Sequence, residues 1–166
     1  MEKTLTIINE LEREGLISRY AIGGAVGATF YVEPLVTFDL DIFVILPVAT
    51  GALLTTLTPI YDALRSRGYR EEGECMLIEG IPVQFLPAYN PLLEEALTEA
   101  RETMYAEVPT RVLRAEHLLA IALQTGRSKD MERIALFLKE TSWDRSLLSD
   151  ILDRHGLKEK WEKISK

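Results

Sequence analysis

A glycine pair, Gly23-Gly24, closes the short apolar run Tyr20-Ala21-Ile22, and fourteen residues separate it from Asp39-Leu40-Asp41. The second motif lies inside a strongly strand-forming run, Phe38 to Leu46. Successive side chains of a strand point to opposite faces, so Asp39 and Asp41 share a face with their Cβ atoms roughly 7 Å apart. Leu40 and Ile42 then take the other face. Two carboxylates on a half-buried face repel each other and are costly to desolvate. A hard divalent cation between them removes that cost, and Mg²⁺ suits one or two carboxylates completed by phosphate oxygens and water. Glycines ahead of a helix let the backbone approach a ligand closely, and a helix N-terminus favours anions. A phosphate-binding turn beside a metal-binding carboxylate pair reads as chemistry on a nucleoside triphosphate. The bland alternative is a helix-capping glycine pair and two solvent-facing strand aspartates.

Composition narrows the field. A chain of 166 residues suits one domain, or a compact domain with a helical extension. Hydrophobic residues make up 47% and charged residues 27%, enough to bury a core. The formal net charge of -7 argues against bulk electrostatic binding to DNA, although it leaves room for a local basic patch. Cys75 has no second cysteine to pair with, and two histidines are too few for a zinc cluster. The amphipathic N-terminus lacks an apolar signal core and no run approaches 18 apolar residues, so no membrane span and a cytoplasmic location are expected.

Along the chain, periodicity predicts a helix over Thr4 to Gly15 and a strand from Ile17 to Ile22 that delivers the glycine pair. A helix is expected from Ala25 to Tyr31, a loop through Pro34, and a helix from Leu53 to Arg67 ended by Gly68. Tyr69 to Ile78 and Ile81 to Leu86 read as two strands joined at Glu79-Gly80. From Leu92 onward the pattern is helical, except for Thr103 to Pro109, whose alternation permits an edge strand. The chain thus divides into an α/β core, 1–91, and a helical region packed on it, 92–166. That boundary is a change of architecture and not a hinge.

Gly-Gly, a helix and then Asp-x-Asp on a hydrophobic strand resembles the signature of the nucleotidyltransferase (polymerase-beta-like) superfamily. The form Thr37-Phe38-Asp39-Leu40-Asp41 is similar to that of small bacterial members and of the abortive-infection, type IV toxin–antitoxin nucleotidyltransferases. The resemblance implies an α/β (α+β) fold, a small mixed sheet with flanking helices followed by a helical C-terminal half. It implies a Mg²⁺-dependent transfer of a nucleoside monophosphate from an NTP to an acceptor hydroxyl of RNA, a protein or a small molecule. Gly23 and Gly24 would cradle the triphosphate, and Asp39 and Asp41 would hold the metal. Thr37 would donate to a carboxylate or phosphate, or serve only as a β-branched strand residue.

The family's third carboxylate, its general base, falls at Gln84 here, and an amide cannot take a proton. Either base catalysis matters little in this chain, or it is a degenerate nucleotide-binding or protein-interaction module. The helix–Gly-Arg-x-Lys-Asp–helix element at Gly126 to Asp130 also resembles one in the toxin–antitoxin group. On that likeness Arg127 and Lys129 are candidate triphosphate or acceptor contacts. The alternative has Ser128 or Asp130 capping a helix and the cations simply solvated, and Asp130 is also placed to hold one of them by an ion pair. A cognate antitoxin or another protein partner belongs to the same expectation.

Overall fold

The computed structural model describes residues 1–33, 36–48, 56–140 and 142–166. Helix α1 (Glu2–Arg13) buries Leu5, Ile8 and Leu11, its apolar stripe, against a sheet. Among the described residues the sheet has strands β1 (Arg19–Ile22), β2 (Leu40–Ile45), β3 (Arg70–Glu72), β4 (Cys75–Ile78), β5 (Ile81–Pro87), β6 (Arg101–Tyr105) and β7 (Val108–Val112). Their order is β3-β4-β5-β2-β1-β7-β6. Central β2 runs parallel to β5 and antiparallel to β1, and β1 meets β7 in parallel at Ile22 and Val112. The outer pairs, β3–β4, β4–β5 and β6–β7, are antiparallel. The sheet is therefore mixed and the class is α/β, as expected.

Alternation along the strands separates two cores. Tyr20, Ile22, Leu40, Ile42, Val44, Val83 and Phe85 pack with α1 and with Ile60 and Leu64 of α3 (Thr58–Ser66). On the opposite face Ala21 and Phe43 meet α4 (Pro91–Thr98), α5 (Ala115–Thr125), α6 (Ser128–Glu140) and α7 (Arg145–Arg154). A last helix, α8 (Lys158–Ile164), sets Trp161 edge-on against Trp143, with ring centroids 5.9 Å apart. No helix among the described residues is long and apolar enough to cross a membrane.

Several elements depart from the sequence reading. The run expected as one strand over Tyr69 to Ile78 is the hairpin β3–β4, because Gly73 at φ +63° turns the chain between charged residues. The expected edge strand at Thr103 to Pro109 is likewise a hairpin, and Pro109 lies within β7. Proline is tolerated there because β7 pairs with β1 only at Val112, which leaves the ladder open beside Pro109. The expected helix from Leu53 begins, among the described residues, at Thr58, and its predicted start lies outside them, as does the loop at Pro34.

Candidate functional site

The glycine pair and the aspartates meet. Gly23 follows β1, and its amide donates to the Asp41 carbonyl at 3.0 Å, fixing the turn against β2. Helix α2 (Gly24–Ala28) starts at once, with the Gly27 amide bonded to the Gly23 carbonyl at 2.8 Å. Both glycines are required by space. A methyl at Gly23 would lie 2.5 Å from Cδ2 of the Phe43 ring. One at Gly24 would lie 2.7 Å from Cγ of Asp41 and would overlap its carboxylate oxygen Oδ2. Gly24 also adopts φ +58°, in the left-handed region that side chains avoid. The Asp41 carboxylate therefore rests on bare backbone at the start of α2. With five residues, α2 is shorter than the helix expected from Ala25 to Tyr31, so it adds little dipole. The unpaired amides of its first turn are what it offers an anion.

Asp39 sits one residue ahead of β2, in a bend and not in the ladder. Thr37 holds it there, its hydroxyl 3.1 Å from both the Asp39 carbonyl oxygen and Oδ1. Of the two roles considered for Thr37, the structure displays the carboxylate contact. Gln84 stands beside Asp41 in register across the parallel β2–β5 pair, so both side chains point to the same face. Glu79 accepts a hydrogen bond from the Tyr69 hydroxyl at 2.7 Å in the β4–β5 turn, which ties that carboxylate away from Asp41. Burial, followed by the charge of Asp39, pushes the Asp41 carboxyl up to about 6.

Arg133, Lys129 and Arg127 pull the other way, so the start of α6 lies within electrostatic reach of Asp41. Asp130 organises these cations. It is 1% exposed, accepts from Arg127 Nε at 2.8 Å and from Arg133 at 3.3 Å, and also receives the Arg127 backbone amide at 3.3 Å. Of the roles weighed for Asp130, the structure displays the ion-pair partner: α6 begins at Ser128, so Asp130 lies within its first turn and reaches back to the Arg127 amide. Exposed Lys129, by contrast, has its charge within reach of Asp41. Sequence reasoning missed Arg133. Its i, i+3 spacing from Asp130 was visible, but nothing local said which way that helix face looks.

Two hard carboxylates, with the amide oxygen of Gln84 alongside, suit a divalent cation such as Mg²⁺. A carboxylate held near 6 by burial, and next by a like-charged neighbour, is the imbalance that a cation relieves. No cluster of three or more His, Cys, Asp and Glu residues placed to hold a metal occurs among the described residues. The site thus combines a carboxylate pair, a close backbone turn and a cationic rim, the parts needed to bind a phosphorylated, metal-associated ligand.

No protein-family model matches the chain, and no curated protein matches it. Solved structures do. The nucleotidyltransferase ANT(2'')-Ia in complex with adenylyl-2''-tobramycin superposes with a TM-score of 0.53 at 15% identity, over 95% of this chain and 98% of that one. The solution structure of the antibiotic-resistance factor ANT(2'')-Ia gives 0.50 at 16% identity, over 99% and 97%. An antigenic nucleotidyltransferase-like protein from Paracoccidioides brasiliensis gives 0.55 at 14% identity, over 97% and 89%. With nearly the full length matched on both sides, this chain has the nucleotidyltransferase fold.

Proposed function

We propose that the protein is a Mg²⁺-dependent nucleotidyltransferase that moves a nucleoside monophosphate from an NTP to an acceptor hydroxyl and releases pyrophosphate. The observation that carries this reading is the seat of the Asp41 carboxylate on the bare backbone of Gly24, within a nucleotidyltransferase fold. Asp39 and Asp41 would hold the metal, which when bound offsets negative charge developing on the transferring phosphoryl group. Gly23 and Gly24 bring first-turn amides of α2 toward the triphosphate, and Thr37 keeps the Asp39 carboxylate aimed. Arg127 and Lys129 take phosphate oxygens at the rim. Gln84 orients a group beside Asp41 but accepts no proton, so the acceptor's proton leaves to solvent or to substrate phosphate. Catalysis then rests on positioning and charge neutralisation.

The acceptor we favour is a hydroxyl of a polar small molecule, in line with the adenylyl-tobramycin bound by one structural neighbour. RNA and protein acceptors are the alternatives, and the need for NTP and Mg²⁺ supports a cytoplasmic location. A second reading, favoured by Gln84, is a module that binds nucleotide without transfer, alone or as one member of a toxin–antitoxin pair. Calorimetric titration of the four NTPs with and without Mg²⁺, on wild type and on Asp39→Asn/Asp41→Asn, tests the site. Metal-dependent binding lost in the double variant is expected, and no binding by wild type would sink the reading. Binding without pyrophosphate release across acceptor classes would favour the second reading. Growth arrest on expression, abolished by Asp39→Ala, would favour the toxin form of the first.

A further inference from the structure

We propose that the acceptor lies across β5 and β4, on a shelf made by Gln84, Cys75, Leu77 and Pro82, and that it is a hydroxylated ring compound carrying no phosphate. This rests on the nucleotidyl-transfer reading above and gives the second substrate a place and a chemistry. Asp41 stands beside Gln84 across β2 and β5. Leu77 faces Pro82 and Met76 faces Val83 across β4 and β5, so the next step of that register sets Cys75 beside Gln84. Glu72 and Arg70 of β3 follow, opposite Cys75 and Leu77. At about 4.8 Å per strand, the row from Asp41 through Gln84 to Cys75 spans about 10 Å. The alternate residues Met76, Ile78, Val83 and Phe85 are buried in the core that contains α1 and α3 side chains. Cys75, Leu77, Pro82 and Gln84 therefore face the side that carries Asp41, and they are only partly buried. Among the described residues, Cys75 and Leu77 join neither buried core.

Direction assigns this shelf to the acceptor. The strand order puts β1 on one side of β2 and β5 on the other. A side chain at Gly24 would overlap the Asp41 carboxylate, so the glycine turn closes on Asp41 from the β1 side. Transfer joins the acceptor oxygen to the α-phosphorus as the bond to pyrophosphate breaks, and the hydroxyl proton leaves to solvent or to substrate phosphate. The attacking and leaving oxygens stand roughly in line, on opposite sides of that phosphorus. With the triphosphate on the glycine turn, the approach left to the acceptor is over β5. There the floor offers an amide, a thiol and the apolar Leu77 and Pro82, with Arg70 and Glu72 of opposite charge on the exposed edge strand. It holds no surplus cation, which a phosphate-bearing acceptor such as RNA requires. A ring with its apolar face on Leu77 and Pro82 and a hydroxyl toward Gln84 suits this floor.

Cys75 is the chain's one cysteine, so it gives direct chemical access to the shelf. Wild type is modified there with a small methylthio group or a bulky maleimide, and Leu77→Trp fills the shelf independently. A thermal melt checks each fold, and Leu77→Trp carries the comparison if the maleimide adduct unfolds the chain. Calorimetry measures NTP binding with Mg²⁺, and pyrophosphate release is followed with a disaccharide, a cyclitol or a short single-stranded RNA as acceptor. Release is expected with a ring compound and not with RNA. The maleimide adduct and Leu77→Trp should lower it about tenfold or more, and the methylthio adduct by less, with NTP affinity within about twofold of wild type. RNA supporting release as well as the ring compounds do, release within about twofold of wild type in the folded adduct, or NTP binding lost with the adduct would overturn the inference and leave the carboxylate site standing. Wild type that binds NTP but releases pyrophosphate with no acceptor would remove transfer and this inference together.

Discussion

Asp41 is held against its own solvation, and that tension has a measurable consequence. Its folded pKa of about 6 lies above the ordinary carboxylate value, so between about pH 4 and 6 the folded chain binds a proton that the unfolded chain has released. Stability from this group is therefore fully present below pH 4 and falls as pH rises through 6. A shift of this size corresponds to about 1 to 3 kcal/mol once partial exposure is allowed for. Asp41→Asn should be more stable than wild type by about that amount at pH 8, with the gain shrinking toward zero by pH 4. Urea denaturation at pH 4.5, 6 and 8 measures it, and an Asn variant no more stable at pH 8 would mean that the α6 cations already neutralise the site. Gly24 explains why this much was legible in the sequence. Its left-handed backbone and its contact with Asp41 are demands that few residue types meet, so they leave a mark in the one-dimensional pattern. Arg133 left none, because its role depends on where α6 lies.

At the scale of elements, α4, α5 and α7 are tied together by one carboxylate. Glu95 on α4 accepts from Arg154 at 2.8 Å, sits 2.7 Å from His155 Nε2 and 3.1 Å from His117 Nε2. These are both histidines of the chain. The Arg154 hydrogen bonds, followed by those of the histidines, pull Glu95 down to about 2 against the effect of its burial. Burial outweighs the attraction of Glu95 for His117 and lowers the pKa of that imidazole, which is 1% exposed with Nδ1 unpaired. His117 is thus a buried packing residue bonded to Glu95. Glu95→Gln should cost about 2 kcal/mol at pH 7, since it strips a charged acceptor from three donors. A depressed carboxylate contributes above pH 4.5 and loses its contribution as pH falls toward 2, so the two proteins should converge in acid. Urea midpoints at pH 7 and pH 3 decide it, and an equal gap at both would assign the loss to packing. Helices such as α1 and α7 were readable because their apolar stripes repeat over several turns. The β3–β4 and β6–β7 hairpins were not, because the strands are short, β3 and β6 are largely exposed, and both turns include charged residues.

At the scale of the molecule, the boundary expected near residue 91 is spanned by a shared core and a shared sheet. One buried cluster joins Ala21, Val32 and Phe43 from before the boundary to Leu118, Phe137 and Ile151 from after it. The sheet crosses it too, because β7 adds to β1 and the Leu113 amide bonds to the Ile22 carbonyl at 3.0 Å. The sheet face that carries Ala21 and Phe43 is buried by helices from after the boundary, so unfolding should be one cooperative event. The chain carries its own reporters for this. Trp161 lies in α8 and Trp143 in the segment just before α7, whereas Cys75 lies on β4 near the far edge of the sheet. In a urea titration, tryptophan fluorescence and the rate of Cys75 modification by a thiol reagent should share a midpoint, with far-UV circular dichroism coincident with both. Cys75 reacting at lower urea than the tryptophan transition would mean that the β3–β4 edge opens before the rest. Fluorescence changing first, with the thiol still protected, would make the helical half a separate unit and would detach the α6 cations from the carboxylates they face.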